Sequence, residues 1–130
     1  CRNCPVALIS FIIKKRRRQS MAKASPYESG ELTDSIFFTL LVLTNPIHGY
    51  MIMQKVAEIT NNSIIIGPAT MYTTLGKMVG VNWIEEKDID NSKKEYHITK
   101  KGYEVLMKDF EKRKFLLNVA DNLLRGGYHE

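Results

Sequence analysis

The chain has 130 residues, 44% hydrophobic and 25% charged, with a formal net charge of +5. That length suits one small domain with an appendage, and that composition excludes a disordered or fibrous chain. The charge sits at one end: residues 1–20 carry Arg2, Lys14, Lys15, Arg16, Arg17 and Arg18 and no acid, leaving 13 Lys/Arg against 14 Asp/Glu from Met21 onward. Bulk charge therefore says nothing about nucleic acid, and affinity for it must come from local clustering.

In residues 1–20 the apolar run from Pro5 to Ile13 is too short to span a bilayer. Its basic cluster follows the run, whereas a secretory signal puts charge before it. Cys1 and Cys4 have C-x-x-C spacing, a weak metal or redox signal with no second Cys pair or His near it. Met21 reads as a natural start, so residues 1–20 are expected to be an artificial or translated-leader extension, disordered and without native function. A basic arm gripping phosphate or anionic lipid is the alternative. The remaining chain has no disulfide signal and suits a reducing cytoplasm.

From Ala22 to Leu32 the chain is polar, with Pro26 and Gly30, and reads as a lead-in loop. Thr33 is an N-cap candidate with Asp34 in the first turn. Ile36, Phe37, Leu40, Leu41 and Leu43, with Phe38 and Val42, make the following helix apolar nearly all round, hence buried on several sides. Thr44-Asn45-Pro46 stops it, and Ile47-His48-Gly49 reads as a loop. A second helix runs from Tyr50 to about Thr60, with Ile52, Met53, Val56 and Ala57 inward. His48 reads as a hydrogen-bonded structural histidine rather than a ligand or base. Asn61-Asn62 ends that helix, and Ser63 to Ile66 forms a short strand or extended link.

Gly67-Pro68 opens a third helix, since Pro is tolerated at the first helical position. Met71, Leu75 and Met78 recur at i, i+4 and i+7 and mark its buried stripe. Its outward face carries Ala69, Thr70, Thr73, Gly76 and Lys77, small, hydroxylated and without an acid. Such a face suits close approach to a major groove, where Thr meets base edges, thymine methyls or phosphates. Asn82 occupies a position wanting a left-handed cap. Trp83 to Lys87 and Lys93 to Thr99 read as strands around a polar turn at 88–92, with Trp83 in the core. Thr99 then caps a last helix reaching about Arg125, with Gly126-Gly127 as its stop. Three helices, a hairpin and a closing helix give a mainly α fold with a small β-hairpin, a winged helix-turn-helix plus a long C-terminal helix. The expected boundaries are 21–98 for the winged-helix domain and 99–130 for the dimerisation helix and tail.

These segments carry a resemblance. His48–Val56 (HGYMIMQKV), Gly67–Val79 (GPATMYTTLGKMV), Asn82–Glu86 (NWIEE) and Glu95–Gly102 (EYHITKKG), in that order and spacing, resemble the PadR-like transcriptional regulators over roughly Leu32 to Leu124. The resemblance implies a homodimeric winged-helix repressor, released in some members by small aromatic or drug-like molecules. It further implies the short subfamily, whose single closing helix dimerises. Three departures stand out: Asn82 where Gly is usual, His97 where Arg or Lys often stands, and a wing whose charge from Glu85 to Glu95 sums to −2. Phosphate repels carboxylate, so a strong grip by this wing is in doubt.

The expected DNA contacts are Ala69, Thr70 and Thr73 at base edges, Lys77 at phosphate, and Lys93 and Lys94 on flanking backbone. Tyr72 reaches phosphate with its hydroxyl or serves as a core-edge ring. On the last helix Tyr103, Leu106, Met107, Phe110, Leu117 and Leu124 form one stripe. Phe115, Leu116, Val119 and Leu123 form a second, and two faces imply a second subunit. The resemblance further implies that a small aromatic effector would meet Phe110 and Arg113 between the closing helices of the dimer. No phosphate loop, H-E-x-x-H or Ser-His-Asp arrangement suggests an enzyme, and no metal, cofactor or membrane is expected. His48, His97 and His129 lie in unrelated contexts. The competing class is a winged helix used for protein–protein contact, for which the neutral body and acidic wing would be the point.

Overall fold

The computed structural model describes residues 25–90 and 93–127. The basic segment, with Cys1 and Cys4, lies outside them, as does His129. Ser25 is extended and Pro26–Ser29 forms one helical turn, α1, closed by Gly30 at φ 78°. The expected loop thus contains a turn, because Pro at its first position and a left-handed Gly at its end fix both boundaries. Thr33 then caps α2 (Asp34–Val42), its Oγ1 accepting from the Ile36 amide at 3.3 Å. Such a cap contributes about 1 kcal/mol.

Ile47–His48 is not a loop but a short strand, β1, and α3 (Gly49–Ile59) starts directly after it. Two residues carry no periodicity; β1 exists only because Ile47 and His48 pair antiparallel with Tyr96 and Glu95. Helix α3 ends with Asn61 and Asn62 at φ 51° and 63°, the Asn62 amide donating to the Ala57 carbonyl at 2.8 Å. Residues 63–66 are a link without strand pairing. Helix α4 is Pro68–Gly80. It closes with Asn82 at φ 62°, the Trp83 amide donating to Met78 O at 2.9 Å and the Asn82 amide to Val79 O at 3.1 Å. Two such bonds around one left-handed residue satisfy the orphan carbonyls of the last turn.

Strand β2 is Ile84–Asp90 and β3 is Lys93–Ile98; with β1 they form an antiparallel sheet in the order β1-β3-β2. Trp83 precedes β2 rather than opening it, and β2 continues to Asp90 because cross-strand bonds with β3 hold its acidic end extended. Helix α5 runs Lys100–Gly127, through the glycines expected to stop it.

The core lies where α2, α3 and α4 meet the sheet. Leu40, Leu43, Ile52, Val56, Met71 and Met78 are fully buried. Each contributes about 1.5–3 kcal/mol relative to exposure. Thr39 is equally buried, and its hydroxyl donates to the Ser35 carbonyl at 2.7 Å, so no polar atom is stranded there. The Ile98 amide donates to Leu43 O at 2.9 Å, tying the sheet to the end of α2.

The base of the wing is clamped at Thr99. Its amide donates to Trp83 O at 2.9 Å, its hydroxyl donates to Asn82 O at 2.6 Å and accepts from the Gly102 amide at 3.0 Å. Helix α5 starts so close to the chain at Trp83 that a Cβ on Gly102 would sit 2.0 Å from the Trp83 carbonyl oxygen. Only glycine fits at 102.

Candidate nucleic-acid interface

Helix α4 buries Met71, Leu75 and Met78 and turns Ala69, Thr70, Tyr72, Thr73, Gly76 and Lys77 to solvent. The exposed face has no carboxylate, and a Cβ at Gly76 would meet nothing within 4 Å. Chemically this is a surface of methyls, two hydroxyls, one phenol and one ammonium, able to approach a duplex closely without repelling its phosphates.

Tyr72, Lys93 and Lys94 converge. They border a recess of about 170 Å³ shared with Gly49, Tyr50 and Tyr96. Gly49 keeps the recess uncrowded, since a Cβ there would meet the Tyr96 ring at 3.0 Å and the ring would have to give way by a few tenths of an ångström. Tyr50, more than half exposed at the start of α3, adds a third phenol that periodicity could not reveal. The signal for it was its place directly after His48-Gly49, where a helix begins. His48 departs from the expectation of a hydrogen-bonded histidine. Its Nδ1 is buried with no protein partner among the described residues, and its ring stacks on Tyr50 at 5.7 Å.

The wing's basic residues are matched by its own acids. Lys94 Nζ lies 2.5 Å from Glu86 Oε1, and this hydrogen-bonded pairing raises the Lys94 pKa above its ordinary value. In register, Lys93 faces Asp90, Lys94 faces Asp88 and Lys87 faces Glu95. The hairpin therefore sets each of its lysines across from an acid, with Lys94 ion-paired, and keeps a net charge of −2.

Lys77 stands apart from that recess. Its Nζ lies 5.7 Å from the ring centre of Tyr27 on α1. Burial raises the Tyr27 pKa, partly offset by a side-chain hydrogen bond with Thr74 of α4. Tyr27 also packs on Trp83 at 5.4 Å. So α1 braces the flank of α4, a role the expected loop did not foresee.

On α5 the expected stripes shift. The face held by the domain is Gly102, Leu106 and Asp109, with Arg113 one turn on. Arg113 Nε donates to Asp109 Oδ2 at 2.6 Å, NH1 to Asp34 Oδ1 at 2.7 Å and NH2 to the Leu32 carbonyl at 2.9 Å. Its guanidinium also lies over Phe37 at 4.4 Å. Burial pulls its pKa down, but the hydrogen bonds to Asp109 and Asp34 outweigh that and leave it raised. Arg113 thus ties α5 to the start of α2. Phe110 instead borders a separate apolar recess of about 340 Å³ with Phe37, Leu41, Tyr103 and Met107, and Arg113 does not line it. Beyond Arg113 every described residue of α5 is exposed. Leu117 and Leu124, expected on the domain's own stripe, are 70% and 69% exposed and lie outward with Phe115, Leu116, Val119 and Leu123.

Three-stranded sheet, helix-turn-helix and braced outward helix together define a winged-helix protein. Residues 39–108, more than half of the chain, match the Transcriptional regulator PadR-like family, and the chain belongs to it. It is therefore a DNA-binding transcriptional regulator by family, and that family is not one of enzymes. The fold is similar to a PadR family transcriptional regulator from Eggerthella lenta DSM 2243, 18% identical with a TM-score of 0.60, over 98% of this chain and 100% of that one. A transcriptional regulator from Clostridium thermocellum is 18% identical with a TM-score of 0.61, over 77% and 96%. RosR of H. salinarum is 20% identical with a TM-score of 0.56, over 73% and 96%. No curated protein sequence matches the chain. Among the described residues no helix is long and apolar enough to cross a membrane, and no group of three acids, histidines or cysteines could hold a metal.

Proposed function

We propose that the protein is a cytoplasmic homodimeric repressor that binds an inverted-repeat operator in double-stranded DNA. The winged-helix unit of residues 21–98 reads the site, and residues 99–130 dimerise. Ala69, Thr70 and Thr73 address base edges from the first half of α4. Lys77 takes a phosphate, and Tyr72, Lys93 and Lys94 take the flanking backbone. The observation that carries this is the exposed, acid-free outer face of α4. Two such helices in a symmetric dimer would read half-sites roughly 10 bp apart, or a multiple of that. Support for the dimer comes from the outer half of α5, where Phe115, Leu116, Val119 and Leu123 are all exposed and no other described residue covers them. Release by a small aromatic effector at the Phe110 recess completes the reading, with Arg113 acting on that recess through Phe37, which it covers.

The test is binding of the purified protein to the DNA upstream of its own gene, measured by fluorescence anisotropy across a salt titration. Lys77→Ala should weaken all sequences alike and flatten the salt slope by about one unit per subunit. Thr73→Ala should relax the preference at one base position, at a cost of about 1–3 kcal/mol. Wild-type affinity for both variants would remove α4 as reader. The acidic wing, whose Lys94 is already paired with Glu86, favours a second reading, a winged helix used for protein contact, and that outcome would bring it forward.

A further inference from the structure

The recess of about 170 Å³ beside α4 joins three elements, the start of α3, the outward face of α4 and the wing. Sites for small organic molecules run to roughly 300–1,000 Å³, so this one suits a single phosphate-sized group. Its lining holds three phenols and two lysines and no carboxylate. Tyr96 is buried, whereas Tyr50 and Tyr72 are half-exposed and keep their hydroxyls within reach of an incoming group. A Cβ on Gly49 would lie 3.6 Å from the Tyr72 ring as well as 3.0 Å from the Tyr96 ring. Both rings are thus seated against the first residue of α3.

Tyr50 is held as well. The His48 ring stacks on it at 5.7 Å, within 15° of parallel, which fixes the plane of the phenol. The imidazole does little else: it gives α3 no side-chain cap, and its buried Nδ1 has no partner among the described residues. An unpaired buried nitrogen carries a cost, so the face of the ring is what this residue contributes. The two lysines differ. Lys94 is held by Glu86, whereas Lys93 is exposed and forms no ion pair among the described residues. Phenol and ammonium groups donate hydrogen bonds and a phosphate diester only accepts them, so Tyr50, Tyr72 and Lys93 match one phosphate in both charge and hydrogen bonding.

We propose that this recess seats one backbone phosphate of the duplex per subunit, with Tyr50 a DNA-contacting residue and His48 the residue that positions it. The hydroxyls of Tyr50 and Tyr72 and the ammonium of Lys93 share that phosphate, while Lys94 stays on the rim with Glu86. A backbone phosphate is the same at every base pair, so the socket strengthens operator and unrelated duplex alike and sets how α4 lies in the groove. The inference rests on the protein binding duplex DNA and deepens that reading, since it gives three residues from three elements a single shared ligand.

Tyr50→Phe keeps the ring and its stack on His48 and removes only the hydroxyl. Its affinity for the DNA upstream of its own gene and for an unrelated duplex, read by fluorescence anisotropy, should fall about tenfold for each. The salt slope should stay as it is, because no charge is lost. Tyr72→Phe should act alike, and the double variant should lose less than the product of the two, since both hydroxyls meet one phosphate. Ethylation of single phosphates should then find one position per half-site that the parent cannot tolerate and the double variant ignores. His48→Ala should weaken binding about threefold, and His48→Phe, which restores a flat ring, should recover it. Unchanged affinity in Tyr50→Phe, no such phosphate, or equal losses in His48→Phe and His48→Ala would overturn the socket. So would a fall of more than about 2 °C in the melting temperature of Tyr50→Phe, which would make its hydroxyl structural. If Tyr50→Phe binds as the parent does while Thr73→Ala and Lys77→Ala are weakened, the socket falls and the DNA reading stands; a protein that binds no duplex at all refutes both.

Discussion

Gly102→Ala tests the wing clamp most directly. The added Cβ would lie 2.0 Å from Trp83 O and 2.8 Å from the Trp83 carbonyl carbon. Both are backbone atoms that no rotamer change can clear, so the first turn of α5 must retreat by about 1 Å, and cores resist such overpacking. That shift strains three bonds, Thr99 N–H to Trp83 O at 2.9 Å, Thr99 Oγ1 to Asn82 O at 2.6 Å and the Gly102 amide to Thr99 Oγ1 at 3.0 Å. At about 1 kcal/mol net each, losing all three costs about 3 kcal/mol. Alanine's better helix propensity returns about 1 kcal/mol, for a net loss of about 2 kcal/mol. In a domain of this size that lowers the melting temperature by about 10 °C. Gly76→Ala is the control, because its Cβ has open space and propensity alone acts, stabilising by about 0.5–1 kcal/mol. Circular dichroism melts at one fixed protein concentration compare the two. Melting of Gly102→Ala within about 2 °C of the parent would refute the close approach at Trp83.

Arg113→Met should cost about 2–3 kcal/mol in urea unfolding, since it leaves the buried Asp109 carboxylate with only the Leu32 amide at 3.4 Å. Adding Asp109→Leu should recover most of that loss, and a simple sum of the two single losses would show that no buried charge was exposed. The triple variant Phe115→Glu, Leu116→Glu, Val119→Glu should halve the mass seen by light scattering while the melt of the winged-helix unit persists; an unchanged mass would remove α5 as the dimer contact. Glu86→Gln frees Lys94 and removes a charge that repels phosphate, so operator affinity should rise and the salt slope steepen by about one unit per subunit. An unaltered slope would mean that Lys94 meets no phosphate.

Local physics was legible in the chain. The stripe Met71, Leu75, Met78 fixed α4 and its outward face, because a buried helix face repeats every 3.6 residues whatever lies against it. Thr33 and Thr99 marked helix starts, and Asn82 a left-handed close, since caps depend on atoms three or four residues away. Partners distant in sequence left no such trace. Strand β1 exists because residues 95 and 96 lie beside it, and two residues have no period of their own. The buried face of α5 was misread from its apolar residues, because its centre is Asp109, a charge made tolerable only by Arg113 and the Leu32 amide. The wing's net charge could be counted, but the pairing of Lys94 with Glu86 required the register that sets the two strands side by side. Tyr27 looked like a loop residue until folding placed it between Trp83 and Lys77, some fifty residues on. Contacts at that separation obey packing rather than spacing, so only the tertiary structure could decide them.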